Sequence, residues 1–187
     1  MPGMRLFVSI DVPDELREAL ADVQDEFAAG EDVRLTDPAQ AHLTLSFLGD
    51  VEETRVEDIE RELEGAVDDA GVAPFEMELG GLGVFPSLDY ISVVWTGVRE
   101  GADSVSTLQA AVEERLETLG FEGDDHEFTP HVTLARVDGH RGKELIQRAV
   151  EERDPDVGRF EVSEVRLTES TLTEGGPEYR TVSSVGL

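Results

Sequence analysis

Two periodicities of apolar residues divide the chain into short elements. Apolar, β-prone runs with alternating polar positions are typical of half-buried strands, and apolar residues repeated every three or four positions are typical of amphipathic helices. The runs predicted as strands are residues 5–12, 33–35, 42–48, 74–84, 90–97, 130–137, 160–167 and 179–182. The segments predicted as helices lie near residues 14–28, 53–70, 105–119 and 141–152.

Strands and helices alternate in both halves of the chain. This order favours an α+β or α/β architecture with two similar lobes. A chain of 187 residues fits one domain of ordinary size, because domains usually contain about 100–200 residues. Hydrophobic residues make up 39% of the chain, which is enough to bury a core. We therefore expect residues 1–187 to form a single domain with two lobes.

The net charge of the chain is unusually negative. Asp and Glu number 43 against 15 Lys and Arg, which gives a net charge of −28, and Lys143 is the single lysine. Such a charge repels nucleic acid in dilute buffer. The acidic residues are spread over every segment, however, as in proteins adapted to molar salt, where the Debye length shrinks to about 3 Å. We interpret the acidity as a halophilic adaptation of the surface, and an ordinary acidic protein is the alternative.

The composition excludes several kinds of protein. The chain has no cysteine, which excludes disulfide scaffolds, thiolate nucleophiles and Cys-ligated zinc. His126 and His140 lie in acidic loops without partners at ligand spacing, so we expect no metal and no cofactor. No apolar segment approaches the roughly 20 residues that span a bilayer, and residues 1–5 do not resemble the start of a signal peptide. We expect a cytoplasmic monomer without membrane contact.

A four-residue motif occurs once in each half of the chain. It reads His-Leu-Thr-Leu at His42–Leu45 and His-Val-Thr-Leu at His131–Leu134, each time in a predicted strand. Side chains at i and i+2 share one face of a strand, so each histidine projects with its threonine while the apolar residues point into the core. If the two lobes are related by a pseudo-twofold axis, the polar faces meet across a cleft.

Paired histidines suit the cleavage of a cyclic phosphodiester by water. The reaction needs one group that takes a proton from the nucleophile and another that gives a proton to the leaving oxygen. Imidazole, with an ordinary pKa of about 6.5, can do either near neutral pH. The hydroxyls of Thr44 and Thr133 can bind the non-bridging phosphate oxygens. A single histidine in a strand is more often a surface or core residue, but the repeated pattern makes coincidence the weaker explanation for His42 and His131.

Longer blocks around the two motifs resemble a known family. These blocks are Met4–Asp11, His42–Gly49, Gly81–Pro86, Val94–Val98, Phe128–Arg136, Glu169–Ser170 and Gly176–Tyr179. They extend over nearly the whole chain. Together they resemble the archaeal and bacterial RNA 2',3'-cyclic phosphodiesterases, long called 2'-5' RNA ligases, of the two-histidine phosphoesterase superfamily.

The resemblance implies both a fold and an activity. The fold would be α+β and bilobal, with two pseudo-symmetric lobes of antiparallel sheet, helices outside, and the active-site cleft between the lobes. The activity would be metal-independent hydrolysis of a 2',3'-cyclic phosphate, on an RNA end or a nucleotide, to a 2'-phosphate. By the same resemblance His42 would give its proton to the leaving 3' oxygen, and His131 would be the base that activates water. Many relatives carry Arg or Lys at the position of Ser46, which strict alternation places on the face of His42 and Thr44.

Other side chains are candidate substrate contacts. Arg136 ends the second motif strand and could meet the phosphate. Strict alternation places it on the face opposite His131, so this role requires a bulge, and a surface role is equally compatible. Four aromatic residues could stack on a base or pack in the core. They are Phe47, Phe85, Trp95 and Tyr179.

Two other functions are compatible with the same cleft. A binding module would hold 2'-5'-linked or cyclic-phosphate RNA without hydrolysing it, and the neutral Ser46 is the main argument for it. Reversible ligation would join 2',3'-cyclic phosphate and 5'-hydroxyl ends, with an RNA hydroxyl in place of water. Water at about 55 M wins this competition unless RNA binding supplies a large effective concentration.

The interpretation of the charge can be tested by its effect on folding. We expect dilution from molar salt to low ionic strength to unfold the chain, because repulsion between the carboxylates is then unscreened. Circular dichroism and activity, followed against KCl concentration, measure this dependence. A protein that stays fully folded and equally active in dilute buffer would contradict the halophilic interpretation.

Overall fold

The structure is a computed structural model that describes residues 3–123 and 127–187. The strands are β1 (Gly3–Asp11), β2 (Val33–Leu35), β3 (His42–Glu52), β4 (Phe75–Pro86), β5 (Ile91–Glu100), β6 (His131–Val137), β7 (Asp156–Val162), β8 (Glu164–Thr173) and β9 (Gly176–Gly186). The α-helices are α1 (Arg17–Gln24), α2 (Val56–Ala70), α3 (Ala102–Glu117) and α4 (Lys143–Glu152).

Within the described residues, all nine strands join one sheet. Its order is β7-β4-β5-β6-β3-β1-β8-β9, with the short β2 paired to β6. Each of these pairings is antiparallel. The α+β class is therefore confirmed, because an α/β fold would carry a mainly parallel sheet.

The sheet consists of two half-sheets of four strands that meet where β3 lies beside β6. The first half-sheet has the order β3-β1-β8-β9 and the second has the order β6-β5-β4-β7. Among the described residues, Leu43 and Val132 form the single registered pair between β3 and β6. Both side chains are fully buried. Because β3 and β6 are antiparallel and each begins at its histidine, a local twofold axis near this pair relates these two strands.

Of the α-helices in the described ranges, α1 and α3 cross between the half-sheets. Helix α1 follows β1 of the first half-sheet but packs on β6 and β7 of the second, whereas α3 follows β5 of the second but packs on β3 of the first. Each half-sheet thus takes part of its core from the other half of the chain, as shown by the buried Leu20 of α1 and Leu108 of α3. None of the helices in the two described ranges is long and apolar enough to cross a membrane.

The prediction of one strand over residues 160–167 is wrong. Strand β7 ends at Val162 and pairs with β4, whereas β8 begins at Glu164 and pairs with β1. The chain therefore passes from one half-sheet to the other at Ser163. The apolar alternation changes phase at this point, because Val162 and Val165 are both buried although they are three positions apart.

Candidate active site

The two motif strands lie side by side at the centre of the sheet. Each begins at its histidine, and the strands are antiparallel with Leu43 opposite Val132. This register directs His42 toward Thr133 and Thr44 toward His131. The two histidines consequently lie on a diagonal, a relation that separates residues by about 7–8 Å in a regular antiparallel pair.

Each histidine is held by the same backbone bond. Nδ1 of His42 is 3.0 Å from the carbonyl oxygen of Gln40, and Nδ1 of His131 is 2.7 Å from that of Thr129. A carbonyl oxygen can only accept, so Nδ1 donates and carries the hydrogen in both rings. The Nε2 atoms have no hydrogen-bond partner among the residues described. Nε2 is therefore the atom of each ring that can exchange a proton with a substrate.

Aromatic rings pack against both imidazoles. His42 lies 4.9 Å from the ring of Phe7 and 4.9 Å from that of Tyr179, measured between ring centroids. His131 lies 4.9 Å from Phe85 and 5.9 Å from Trp95. These contacts limit the rotation of each imidazole. Three of the four aromatic candidates thus pack beside a histidine.

The threonines of the two motifs are half-buried. The structure gives neither the Thr44 nor the Thr133 hydroxyl a hydrogen-bond partner within the described ranges. Each hydroxyl has one proton to donate and two lone pairs that can accept. Both groups are therefore available to a bound phosphate.

A β-bulge in β6 determines where Arg136 points. Leu134 is skipped in the pairing of β6 with β5, and Leu134 and Ala135 are both buried. The extra residue shifts the alternation by one position. Arg136 therefore lies on the same face of the sheet as His131 and Thr133, where strict alternation had placed it on the opposite face.

A matching bulge in β3 turns Ser46 away from the site. Leu45 is skipped in the pairing with β1, and Ser46 pairs with Val8, which is fully buried. The expectation that Ser46 shares the face of His42 is wrong, because alternation is interrupted at the bulge. Phe47 takes the position on the cleft face and is 70% exposed.

The charge of Arg136 reaches both histidines. Burial is the main cause that lowers the pKa of each imidazole, and the positive charge of Arg136 lowers the pKa of His42 and of His131 further. Burial raises the pKa of the Tyr179 phenol, and Arg136 opposes this effect. The guanidinium therefore stands within electrostatic range of the whole site.

Arg136 belongs to the minority of arginines that form no ion pair within the described residues. Ten arginines form ion pairs with carboxylates in the described part of the chain. Arg136 forms none with the carboxylates that the structure describes. Its guanidinium is exposed and remains free to bind an anion.

Asp11 and Gln40 were not among the residues predicted for the site. Asp11 ends β1 and is the registered partner of His42. The Gln40 side chain donates from Nε2 to the carbonyl of Pro177 at 3.0 Å, and its Oε1 accepts from the Tyr179 amide at 2.9 Å. Gln40 thereby ties β9 to the segment that precedes His42. Neither residue has a local signal, because both act through pairings between distant parts of the chain.

A cavity of about 110 Å³ opens beside His42. Its wall includes the polar side chains of Asp11, Gln40, Thr168 and Tyr179. No group of three or more His, Asp or Glu residues in the described ranges could hold a metal ion. His140 is exposed, and His126 lies outside the described residues. The chemistry that this arrangement offers is proton transfer beside a bound anion.

Comparison with known proteins points to one family. The 2'-5' RNA ligase superfamily matches residues 12–174. An RNA 2',3'-cyclic phosphodiesterase of Methanothermobacter thermautotrophicus is 36% identical, over 94% of this chain and 95% of its own length. A protein of the same name from Aeropyrum pernix is 38% identical, over 89% of this chain and 93% of its own. The structure of Escherichia coli LigT complexed with 3'-AMP superposes with a TM-score of 0.80 at 25% identity, covering 99% of this chain and 98% of LigT.

The packing beside His131 depends on a glycine in β4. A methyl group added at Gly83 would lie 2.2 Å from Cζ2 of Trp95, so we expect Gly83→Ala to displace the indole and to cost about 1–3 kcal/mol of folding free energy. Trp95 is the single tryptophan, so a red shift of its emission reports the displacement. Gly186→Ala is the control, because nothing lies within 4 Å of its added methyl. An unchanged spectrum and unfolding midpoint in Gly83→Ala would contradict this account.

Proposed function

Because the chain belongs to the 2'-5' RNA ligase superfamily, we propose that it hydrolyses 2',3'-cyclic phosphates to 2'-phosphates without a metal. The observation that carries the proposal is the diagonal placement of His42 and His131 across the two central strands. Each uses Nδ1 for its backbone bond, and neither Nε2 has a hydrogen-bond partner among the described residues. The substrate is an RNA end or a nucleotide that carries the cyclic phosphate. The same proposal has the chain acting as a monomer in the cytoplasm.

Two proton transfers carry the proposed reaction. Nε2 of His131 takes a proton from water as the water oxygen forms a bond to phosphorus. The bond between phosphorus and the 3' oxygen breaks, and Nε2 of His42 gives its proton to that oxygen. The products are a 2'-phosphate and a 3'-hydroxyl. His131 ends protonated and His42 neutral, and exchange with solvent restores the starting state. In-line displacement requires the two rings on opposite sides of phosphorus, and their diagonal relation supports this arrangement.

Three further groups bind the non-bridging oxygens in this proposal. The hydroxyls of Thr44 and Thr133 donate to them from the cleft face, and the Arg136 guanidinium supplies a positive charge. Donors fixed before the reaction stabilise the charge that develops in the transition state without reorganisation. Arg136 suits the role because no carboxylate in the described part of the chain competes for it.

The orientation of Ser46 bears on the rival binding function. The argument for a non-hydrolytic module was the neutral residue in place of a basic one. Ser46 pairs with Val8 and lies on the face away from His42, so its neutrality removes no charge from the cleft face. Ligation of a cyclic phosphate end to a 5'-hydroxyl uses the same two histidines and differs only in the nucleophile.

Removal of either histidine tests the proposed hydrolysis. We expect His42→Ala and His131→Ala each to lose about 10²–10⁴-fold in rate, which is the usual contribution of one acid or base. The assay follows a nucleoside 2',3'-cyclic phosphate in molar KCl with EDTA and separates the 2'- from the 3'-phosphate by chromatography. His140→Ala removes an exposed imidazole elsewhere and should keep the full rate. Undiminished turnover in either motif variant, or a 3'-phosphate product, would refute the proposal.

Neutralising Arg136 tests its contact with the phosphate. We expect Arg136→Gln to lower kcat/KM about 10- to 100-fold, since a hydrogen bond to a charged group contributes about 1.5–3 kcal/mol. Arg148→Gln makes the same change of charge on an exposed face of α4 and should leave kcat/KM unchanged. Equal losses in the two variants would show that net charge, and not contact, is responsible.

A further inference from the structure

The two halves of the site differ at the residue paired with each histidine. Asp11 of β1 is the registered partner of His42, whereas Gly97 of β5 is the registered partner of His131. Side chains at paired positions project from the same face, with Cβ atoms about 4.5–5.5 Å apart. A carboxylate therefore stands beside one histidine, and no side chain stands at the equivalent position beside the other.

The Asp11 carboxylate is fixed in place. Nη1 of Arg166 donates to its Oδ2 at 2.7 Å, and the Ser9 hydroxyl donates to its Oδ1 at 3.3 Å. Ser9 is in turn hydrogen-bonded to Thr168 at 3.0 Å. Arg166 also pairs with Glu164 at 2.7 Å, so one guanidinium is shared between two carboxylates. With two carboxylates and one guanidinium, the cluster keeps a net negative charge.

The pKa of His42 is set by burial and by charged groups on β1 and β6. Burial lowers the pKa of His42 most, and the positive charge of Arg136 lowers it further, as does His131 when that ring is protonated. The backbone acceptor of Nδ1 and the Asp11 carboxylate raise it. From β9 the ring faces the neutral phenol of Tyr179. Asp11 is the one carboxylate among these groups.

His131 has a different set of charged neighbours. Burial lowers its pKa most, its backbone acceptor Thr129 raises it, and Arg136 lowers it. The neighbouring rings, from Phe85 of β4 and Trp95 of β5, carry no charge. Nothing in this set favours the protonated form except the backbone carbonyl.

We propose that Asp11 divides the two roles, because its carboxylate retains a proton on His42 and the absence of a counterpart at Gly97 leaves His131 neutral. Asp11 is a positioning residue, since it acts on the substrate only through His42. The inference rests on the proposed hydrolysis and adds to it a cause for the direction of proton transfer. It assigns the acid to the half-sheet of β1 and the base to that of β5.

Titration of the imidazoles by NMR tests the proposal without substrate. In the wild type, His42 should titrate at a higher pH than His131. Asp11→Asn keeps the shape of the side chain and should lower the His42 value by about one pH unit, the effect of one nearby charge at partial exposure. It should not lower the His131 value. Asp50→Asn, the same change at an exposed position of β3, is the control. A wild type in which His131 titrates above His42 would overturn the proposal.

The pH dependence of kcat/KM gives the matching kinetic readout. The acid must be protonated, so activity is lost as pH rises through its pKa. Asp11→Asn should therefore move the alkaline limb to lower pH, by about as much as the NMR shift of His42, with less change at low pH. A loss by one constant factor at every pH would indicate a merely structural role and overturn the inference.

The converse variant places a carboxylate beside His131. Gly97→Asp should raise the pH at which His131 titrates and move the acid limb upward, because the base must be neutral. The added Cβ lies 3.3 Å from Cζ3 of Trp95, so Gly97→Ala serves as the steric control. Identical profiles in the two variants would overturn the proposal. Wild-type turnover without any of these shifts would leave the hydrolysis standing, whereas the shifts in a protein without turnover would refute the hydrolysis alone.

Discussion

The site depends on one backbone pairing, that of Leu43 with Val132. This pair joins two half-sheets that otherwise run apart, and its register decides which groups share the cleft. A shift of one residue in either strand would turn a histidine and its threonine to the core face, because side chains alternate with period two. The buried Leu43 and Val132 side chains resist such a shift. The packing of apolar residues thus fixes the geometry of the polar ones.

Two β-bulges at equivalent positions of β3 and β6 place different side chains on the cleft face. We call the cleft-facing residues around His42 the first half-site and those around His131 the second. Each bulge follows the threonine of its motif and moves the next cleft-facing position by one residue. In the first half-site this position holds Phe47, and in the second it holds Arg136. Strands β3 and β6 therefore share a backbone pattern but carry different side chains on the cleft face. Together with the pairing of Asp11 in the first half-site, this gives the two histidines unequal surroundings.

Much of the fold could be predicted because its signals are local. The motif strands and the amphipathic helices follow from periodicity, and the phase change between Val162 and Val165 could also have revealed the break at Ser163. The bulges could not be predicted, since an extra residue is defined only against a partner strand. Asp11 and Gln40 escaped for the same reason. Asp11 matters because it pairs with His42, and Gln40 matters because it bonds to β9. Both partners are distant in the chain, so alternation along the sequence does not reveal them.

An acidic protein can bind an anionic substrate if an unpaired cation lies at the binding site, even when such cations are few. The arginines paired with carboxylates contribute little each to stability or to attraction at the surface. Arg136 stands unpaired on the cleft face, within reach of both histidines, as far as the described residues extend. In the proposed complex, a contact made by one cation and neutral hydroxyls would release few counterions, so the affinity would depend only weakly on salt. Recognition confined to a single terminal phosphate would survive the screening that abolishes binding along an RNA backbone. The acidic composition of the surface is therefore compatible with a site that makes few charged contacts.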